Sequence, residues 1–382
     1  MKQYKVLILL LFLLSCKQGK KQRYVYDHTL SFDVYSSSYW SGYVAEEDFF
    51  YTTNLATRSM RFYDSKGKEL NRFSFNDIIA PNTTGFQVKV LSSKEVYLLD
   101  YATRFIWKLD SLGKINTKVD FYKLEQNESI WPYFTNDING IEGETILLDL
   151  AYMDPLNNES LASKVEAEKY RSCFGKIEGF ETNPKVIYSY ITPAYLTEQA
   201  QKNEEEYFST YTSSIIHQDQ VFFVDQSANL IYVLDRVTLE VKRTIPIISQ
   251  YTDTAIENFT FYTPEKAKTI NYTDYNYEYA AQVNQIVYDP YRDTFLVVLA
   301  HRAAVDKDPE QKYTNRPFSI ITYDKEFHVI DEHVIDQQVF FNRKYDFYKT
   351  IFPTKEGLLI HSNSKMSPTY KPNTLSYDLF KI

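Results

Sequence analysis

One plan recurs six times along this 382-residue chain: an apolar strand, a polar turn, a second apolar strand ending near Asp, then a short turn into a third strand. The first strands of the units read DFFYTTN (48–54), EVYLLD (95–100), ETILLD (144–149), QVFFVD (220–225), TFLVVLAH (294–301) and GLLIH (357–361). The second strands read SMRFYD, FIWKLD, SCFGKI, LIYVLD, SIITYD and TLSYDLFKI. Another candidate strand precedes each pair, such as GFQVKVLS (85–92) and STYTSSIIH (209–217). Each unit therefore holds four strands, a to d. A unit this small cannot bury its own apolar surface and must stack on its neighbours. Four-stranded units repeated radially make a β-propeller. The expected fold is all-β: six blades, each a four-stranded antiparallel sheet.

The last unit is incomplete. Its third strand runs out at residue 382, and no fourth strand follows. A spare strand, RYVYDHTLSFDV (23–34), precedes the first unit. The simplest arrangement has this N-terminal strand supply the missing d strand of the last blade. That closes the ring and pairs edges that would otherwise stay open. Residues 23–382 then form one domain. Composition agrees: 34 Tyr and 26 Phe against 10 Gly favour many short strands over helices.

Ahead of that strand the chain begins MKQYKVLILLLFLLSCKQGK. Lys2 and Lys5 precede an apolar run, Val6 to Leu14, too short to span a bilayer, which takes about 20 residues. It fits the core of a secretory signal, residues 1–15. Leu13-Leu14-Ser15-Cys16 resembles a bacterial lipobox. The resemblance implies cleavage before Cys16 and acylation of its thiol and new amine. Stable anchoring takes more than one chain, and a multiply acylated Cys16 meets that need alone. Residues 16–22 read as a lipidated tether. Lys17 after the cysteine, rather than Asp, resembles the pattern that sorts lipoproteins to the outer membrane. The partner expected first is therefore a membrane, with the protein in the cell envelope.

Removing 1–15 takes two of the 42 basic side chains and none of the 50 acidic ones, leaving a charge of −10. Such a chain, without a concentrated basic block, is a poor binder of nucleic acid. With Cys16 acylated, Cys173 is the remaining thiol and cannot form an internal disulfide. It reads as a small core residue, with a catalytic nucleophile as the alternative.

The segment LLDYATRFIWKLDSLGK (98–114) resembles the blade pattern of NHL-type six-bladed propellers: Asp, a short turn, Arg or Asn, an apolar strand, then Asp and Gly. The whole chain resembles the six-bladed propeller lipoproteins of Bacteroides-like bacteria, most nearly domain-of-unknown-function family 4221. That resemblance implies a fold and a location. It implies no mechanism.

In a propeller the b–c and d–a connections share one face, and the a–b and c–d connections share the other. The a–b and c–d turns here are short. The long segments, 152–171, 191–208, 249–281, 302–316 and 362–373, all fall at b–c or d–a positions. Two of them, 158–171 and 196–208, are rich in helix formers and charges and read as lids or solvated decoration. Insertions gathered on one face of a repeat fold often build its binding surface. They also serve to cover apolar surface. On that face the b-strand tips offer Asn54, Asp100, Asp149, Asp225, His301 and His361. Asp and His around a channel mouth suit a metal or a polar ligand. Asp and Asn equally suit hydrogen bonds to their own turns, and the Asp100/Arg104 spacing fits a turn. His301, Arg302 and His361 are not usual turn residues and are the stronger site candidates. Trp131, expected in a d–a connection, and the alternating Tyr275, Tyr277 and Tyr279 could stack on a sugar or a peptide, or pack inward.

No dedicated catalytic motif occurs, and none of the acidic runs has Ca²⁺-loop spacing. His328 and His333 lie five apart and fall on opposite faces of a regular strand. No cofactor is expected. The reading is an envelope lipoprotein that binds a glycan, a peptide or an envelope protein without catalysis. The alternative is a propeller enzyme, a glycan hydrolase or lyase or a metal-dependent hydrolase, with its site at the channel mouth.

Overall fold

The computed structural model describes residues 24–33, 40–54, 56–79, 86–100, 103–124, 130–132, 138–152, 173–190, 212–225, 230–252, 281–301, 318–335, 351–362 and 371–381. They form six antiparallel sheets in a ring. Strand β1 (Val25–Asp33) precedes the first blade. Blade one is β2 (Trp40–Val44), β3 (Phe49–Asn54), β4 (Ser59–Asp64) and β5 (Glu69–Ser74). Blade two is β6 (Phe86–Ser92), β7 (Glu95–Asp100), β8 (Phe105–Leu109) and β9 (Ile115–Asp120), followed by one helical turn, Phe121–Leu124. In blade three, β10 (Ile130–Pro132) and β11 (Ile138–Glu142) share the a position beside β12 (Thr145–Tyr152), β13 (Cys173–Glu178) and β14 (Lys185–Tyr190). Blade four is β15 (Thr212–His217), β16 (Gln220–Asp225), β17 (Leu230–Asp235) and β18 (Val241–Pro246). Blade five is β19 (Gln282–Asp289), β20 (Thr294–Ala300), β21 (Phe318–Tyr323) and β22 (Val329–Ile335). Blade six holds β23 (Ile351–Pro353), β24 (Gly357–His361) and β25 (Thr374–Lys381), in the order β1-β25-β24-β23. The N-terminal strand is thus the d strand of the last blade, as the sequence predicts.

Six apolar clusters sit between neighbouring blades, one at each interface, the last joining blade six to blade one through Phe50, Tyr377 and Leu379. A blade is therefore covered on both sides. That is why its middle strands are continuous apolar runs rather than alternating ones: β3, β20 and β21 are buried along their whole length. From blade one to blade six, the a strands of successive blades contact one another. The d strands lie outermost and are largely exposed.

The Asp that closes the second strand in blades one, two, four and five has a clear physical role. Asp64 Oδ1 accepts from the backbone N–H groups of Lys66 and Lys68, and Asp110 Oδ1 from those of Leu112 and Lys114. Asp235 and Asp324 do the same in blades four and five. These side chains cap the c–d turn. Gly67 and Gly113 follow three residues later at φ 79° and 76°, a region that glycine enters without a Cβ penalty. The repeat visible in the sequence is, at this position, a repeat of turn chemistry.

Two expectations change. Trp131 does not lie in a d–a connection: it belongs to β10, opposite Ala151 of β12. Asp149 is not a strand tip: β12 runs on to Tyr152, and Asp149 sits opposite Phe174. The cause is common to both. The b strand of blade three is extended to eight residues, so it pairs first with β11 and then, past a break, with β10.

Candidate functional site

Strand direction fixes the two faces. In blade six Pro353 pairs with Leu358 at the a–b end, and His361 pairs with Tyr377 at the b–c end. The same alternation runs through every blade. The longest connection on the a–b/c–d face is 179–184. The connections 153–172, 191–211, 247–281, 301–317, 336–350 and 362–373 all belong to the b–c/d–a face. Connection 336–350 is not among the long segments marked in the sequence.

On the b–c face, blades one and two share a turn. Asn54 Oδ1 accepts from the Thr57 amide at 2.9 Å. Asp100 accepts the Thr103 hydroxyl at 2.9 Å, and its carbonyl accepts the Arg104 amide at 2.8 Å. Arg58 and Arg104 occupy the last turn position at φ 44° and 56°. Their carbonyls accept the amides of Phe75 and Phe121, the residues that follow each d strand. The Arg104 guanidinium lies over the Tyr122 ring, 5.2 Å from its centroid. Asn54, Asp100 and Arg104 therefore build and brace turns. The common triplet Ala-Thr-Arg at 56–58 and 102–104 was a sequence signal for this, and for Arg58 as the counterpart of Arg104.

Blades five and six depart from that pattern. His301 is buried just beyond β20, and the exposed Tyr251 ring stacks on it at 6.4 Å and 12°. Tyr251 leads into the d–a connection of blade four. Its approach is pinned by a buried carboxylate: Glu332 of β22 accepts the hydroxyls of Ser249 and Ser319 and the amide of Gln250, each at 2.6 Å. His361, at the tip of β24, meets the Tyr377 ring edge-on at 5.5 Å. The next residue of β25, Asp378, is buried on the other face of the sheet, opposite Ile360. Burial pushes the Asp378 carboxyl above the ordinary range, against the pull of hydrogen bonds from Thr29 and Ser362 and of His361. The Thr29 hydroxyl donates to it at 2.6 Å. Neither Glu332 nor Asp378 was singled out in the sequence. A carboxylate inside an apolar strand, HVIDEHVI or TLSYDLFKI, was the available signal.

Several sequence candidates lie outside the described residues: Cys16 and the tether, Arg302, Tyr275, Tyr277, Tyr279 and the helix-forming segments of 158–171 and 196–208. The side chains of Trp131, Asp149, Cys173 and Asp225 also lie outside them. Among the described residues, one trio of acidic and imidazole groups has its ligand atoms within 4.8 Å of one another: Asp324, Glu326 and His328. It sits on the opposite, c–d face, where Asp324 is already the turn cap. Asp100, His301 and His361 do not form such a trio. His328 contacts Asp324, whereas the His333 ring packs edge-on against Tyr24, so the two imidazoles serve different neighbours.

The opposite face is a framework. Asn71 donates to the Ser111 carbonyl between blades one and two, and Lys108 joins Glu95 to Glu181 between blades two and three. Lys176 of β13 is buried and donates to Glu178 and to the carbonyls of Arg236 and Val237 in blade four. Arg292 reaches from Asp289 to the Thr354 carbonyl, joining blades five and six.

Compared with solved structures, the chain is similar to a member of the DUF4221 family from Bacteroides vulgatus. The TM-score is 0.67 at 17% identity, with 96% of this chain and 99% of that one covered. This likeness carries the fold. Weaker similarities extend to the β-propeller domain of Cps50 (Swd1) from Myceliophthora thermophila (TM-score 0.46, 9% identity, 92% and 99% covered). They also extend to a protein of unknown function from Bacteroides caccae (TM-score 0.40, 10% identity, 76% and 80% covered). No family model and no curated protein matches the sequence. Among the described residues, no helix is long and apolar enough to cross a membrane.

Proposed function

We propose that this chain is a lipoprotein of the bacterial cell envelope, anchored through Cys16, whose propeller binds a ligand or protein partner on its b–c/d–a face. The observation that carries the binding reading is the strand order: it puts every long connection on one face and leaves short, mutually braced turns on the other. Loops elaborated on one side of a rigid scaffold are where repeat folds place their binding surfaces. The anchoring reading is supported by the lipobox-like Leu13-Leu14-Ser15-Cys16 and the short apolar run before it.

Two experiments test these parts separately. Cys16→Ala should abolish incorporation of labelled palmitate, and a persistent label contradicts anchoring. For binding, soluble chain from Lys17 onward is screened against envelope glycans and peptides. A ligand lost with His361→Ala or Arg58→Ala, and kept with Lys66→Ala on the other face, is the expected result. A ligand lost with Lys66→Ala alone contradicts it.

One observation favours the enzyme alternative enough to test. Near the b–c end of blade six, burial raises the Asp378 carboxyl, which accepts from the Thr29 hydroxyl, while His361 packs on Tyr377 on the opposite face of the sheet. Turnover in a glycan hydrolysis or elimination assay, removed by Asp378→Asn and by His361→Ala, would establish it. Turnover unaffected by either change would refute both residues as its source.

A further inference from the structure

The d strands carry an asymmetry that the binding face does not use. In β5, β9, β18 and β22 apolar residues lie towards both ends, whereas in β14 Val186, near the c–d end, packs partly buried against a core cluster. Those at the end nearer the d–a connection are covered: Phe73, Val119 and Ile335 are buried. Those at the other end are not: Leu70, Ile115, Val241 and Val329 are between 44% and 55% exposed. The c–d turns just ahead add Leu112 and Val237, 68% and 69% exposed. Both turns are held rigid, by Asn71 on the Ser111 carbonyl and by Lys176 on the Val237 carbonyl. Bracing by the buried Lys176 and the part-buried Asn71 under exposed apolar tips is the reverse of a solvated turn. Among the described residues, the other exposed large hydrophobics away from this rim are Tyr122, Ile248 and Tyr251, on the opposite face.

The chain enters the fold at this same rim. Val25 pairs with Lys381, and Lys381 pairs with Gly357 at the a–b end, so β1 starts there and runs towards the b–c end. Val25 and Tyr26 are themselves exposed. From Cys16 to Tyr24 the chain has eight residue steps, which reach at most about 30 Å at ~3.3–3.6 Å each. Strand β1 alone, nine residues, rises by about 30 Å at ~3.3 Å per residue. A tether rooted at this rim would be fully stretched merely passing the wall of the propeller. It could not bring the opposite face down to a membrane.

We infer that the short-turn rim of the propeller rests on the lipid surface to which Cys16 ties the chain, turning the b–c/d–a face outwards. This rests on the anchoring reading above. The rim contacts lipid through separate apolar tips set among lysines such as Lys66, Lys114 and Lys325, whose stems can lie along the interface with the ammonium groups in water. Acidic groups alternate with them, Asp293 bonding Lys325 at 2.5 Å. The contact is therefore apolar and weakly dependent on salt.

The test compares lipidated full-length protein on phosphatidylethanolamine/phosphatidylglycerol vesicles with the soluble chain from Lys17, by amide hydrogen exchange. Exchange should slow severalfold across 111–115 and 237–241 on vesicles and stay unchanged at 103–104. In the double variant Leu112→Asp, Val237→Asp the lipid label and the melting temperature should be retained and the rim protection lost. Protection at 103–104 instead, protection at neither face, or protection that survives the double variant each overturn the inference. So does rim protection already present in soluble protein of dimeric mass, which would make a second copy the occupant. Failure of the anchoring reading is seen separately, as lipid label that persists in Cys16→Ala.

Discussion

Lys176 and Glu332 are the side chains whose removal should be felt most. Each is a buried charge whose partners would be stranded. Lys176→Met leaves Glu178 and two carbonyls of blade four without their donor. Glu178 is 40% exposed and can rehydrate, so the cost is about 1–3 kcal/mol for each carbonyl left buried and unpaired, read as a lowered denaturant midpoint with an unchanged slope. Glu332→Ala strands two hydroxyls and one amide, at about 1–3 kcal/mol for each group left buried and unpaired. The same variant should alter the approach of Tyr251 to His301, so a ligand bound on that side should weaken with it. A stability loss without any change in binding would separate Glu332 from the site. Gly357 is constrained differently. A Cβ there would meet the Phe380 backbone, so Gly357→Ala must shift the β24–β25 pair and should destabilise by about 1–3 kcal/mol.

At the scale of the element, β1 closes the ring and Tyr24 plugs the seam beside it. The Tyr24 ring packs in the cluster between blades five and six, its hydroxyl 3.3 Å from Thr322. Burial pushes its phenol up to about 12, with the Thr322 hydrogen bond opposing. An unfolded phenol ionises near 10. Below that pH neither state ionises and the packing contributes in full. Between about 10 and 12 the unfolded chain releases a proton that the folded chain keeps, so stability falls as pH rises. Tyr24→Phe should make the alkaline decline shallower in chemical melts. It will not abolish it, because burial also raises Tyr323 and Tyr377. Removing 17–33 should cost far more than any point change, exposing both β25 and the cluster under Tyr24. This element was legible in the sequence because strand arithmetic left one strand over and one place empty. The split of β10 and β11 was not legible. Nothing local distinguishes a b strand of five residues from one of eight, and the pairing partner decides the length.

At the scale of the molecule, the repeat gave away the architecture because blade interfaces demand continuous apolar strands and Asp-capped turns, and both leave marks in the sequence. The candidate site left weaker marks. Asp100 and Arg104 stand out by composition, yet they serve their own turn. Asp378 acquires its character only from the burial that folding supplies. What the fold adds is polarity of the whole: a braced rim with exposed apolar tips and a face bearing the long connections. That polarity is the central claim, and photocrosslinking in cells carrying the full-length protein tests it most directly. Benzoylphenylalanine replaces Tyr251 in one strain and Leu112 in another. The expected result is a discrete ligand or protein adduct from position 251 and lipid adducts from position 112. Discrete protein adducts from position 112, with none from position 251, would contradict the account.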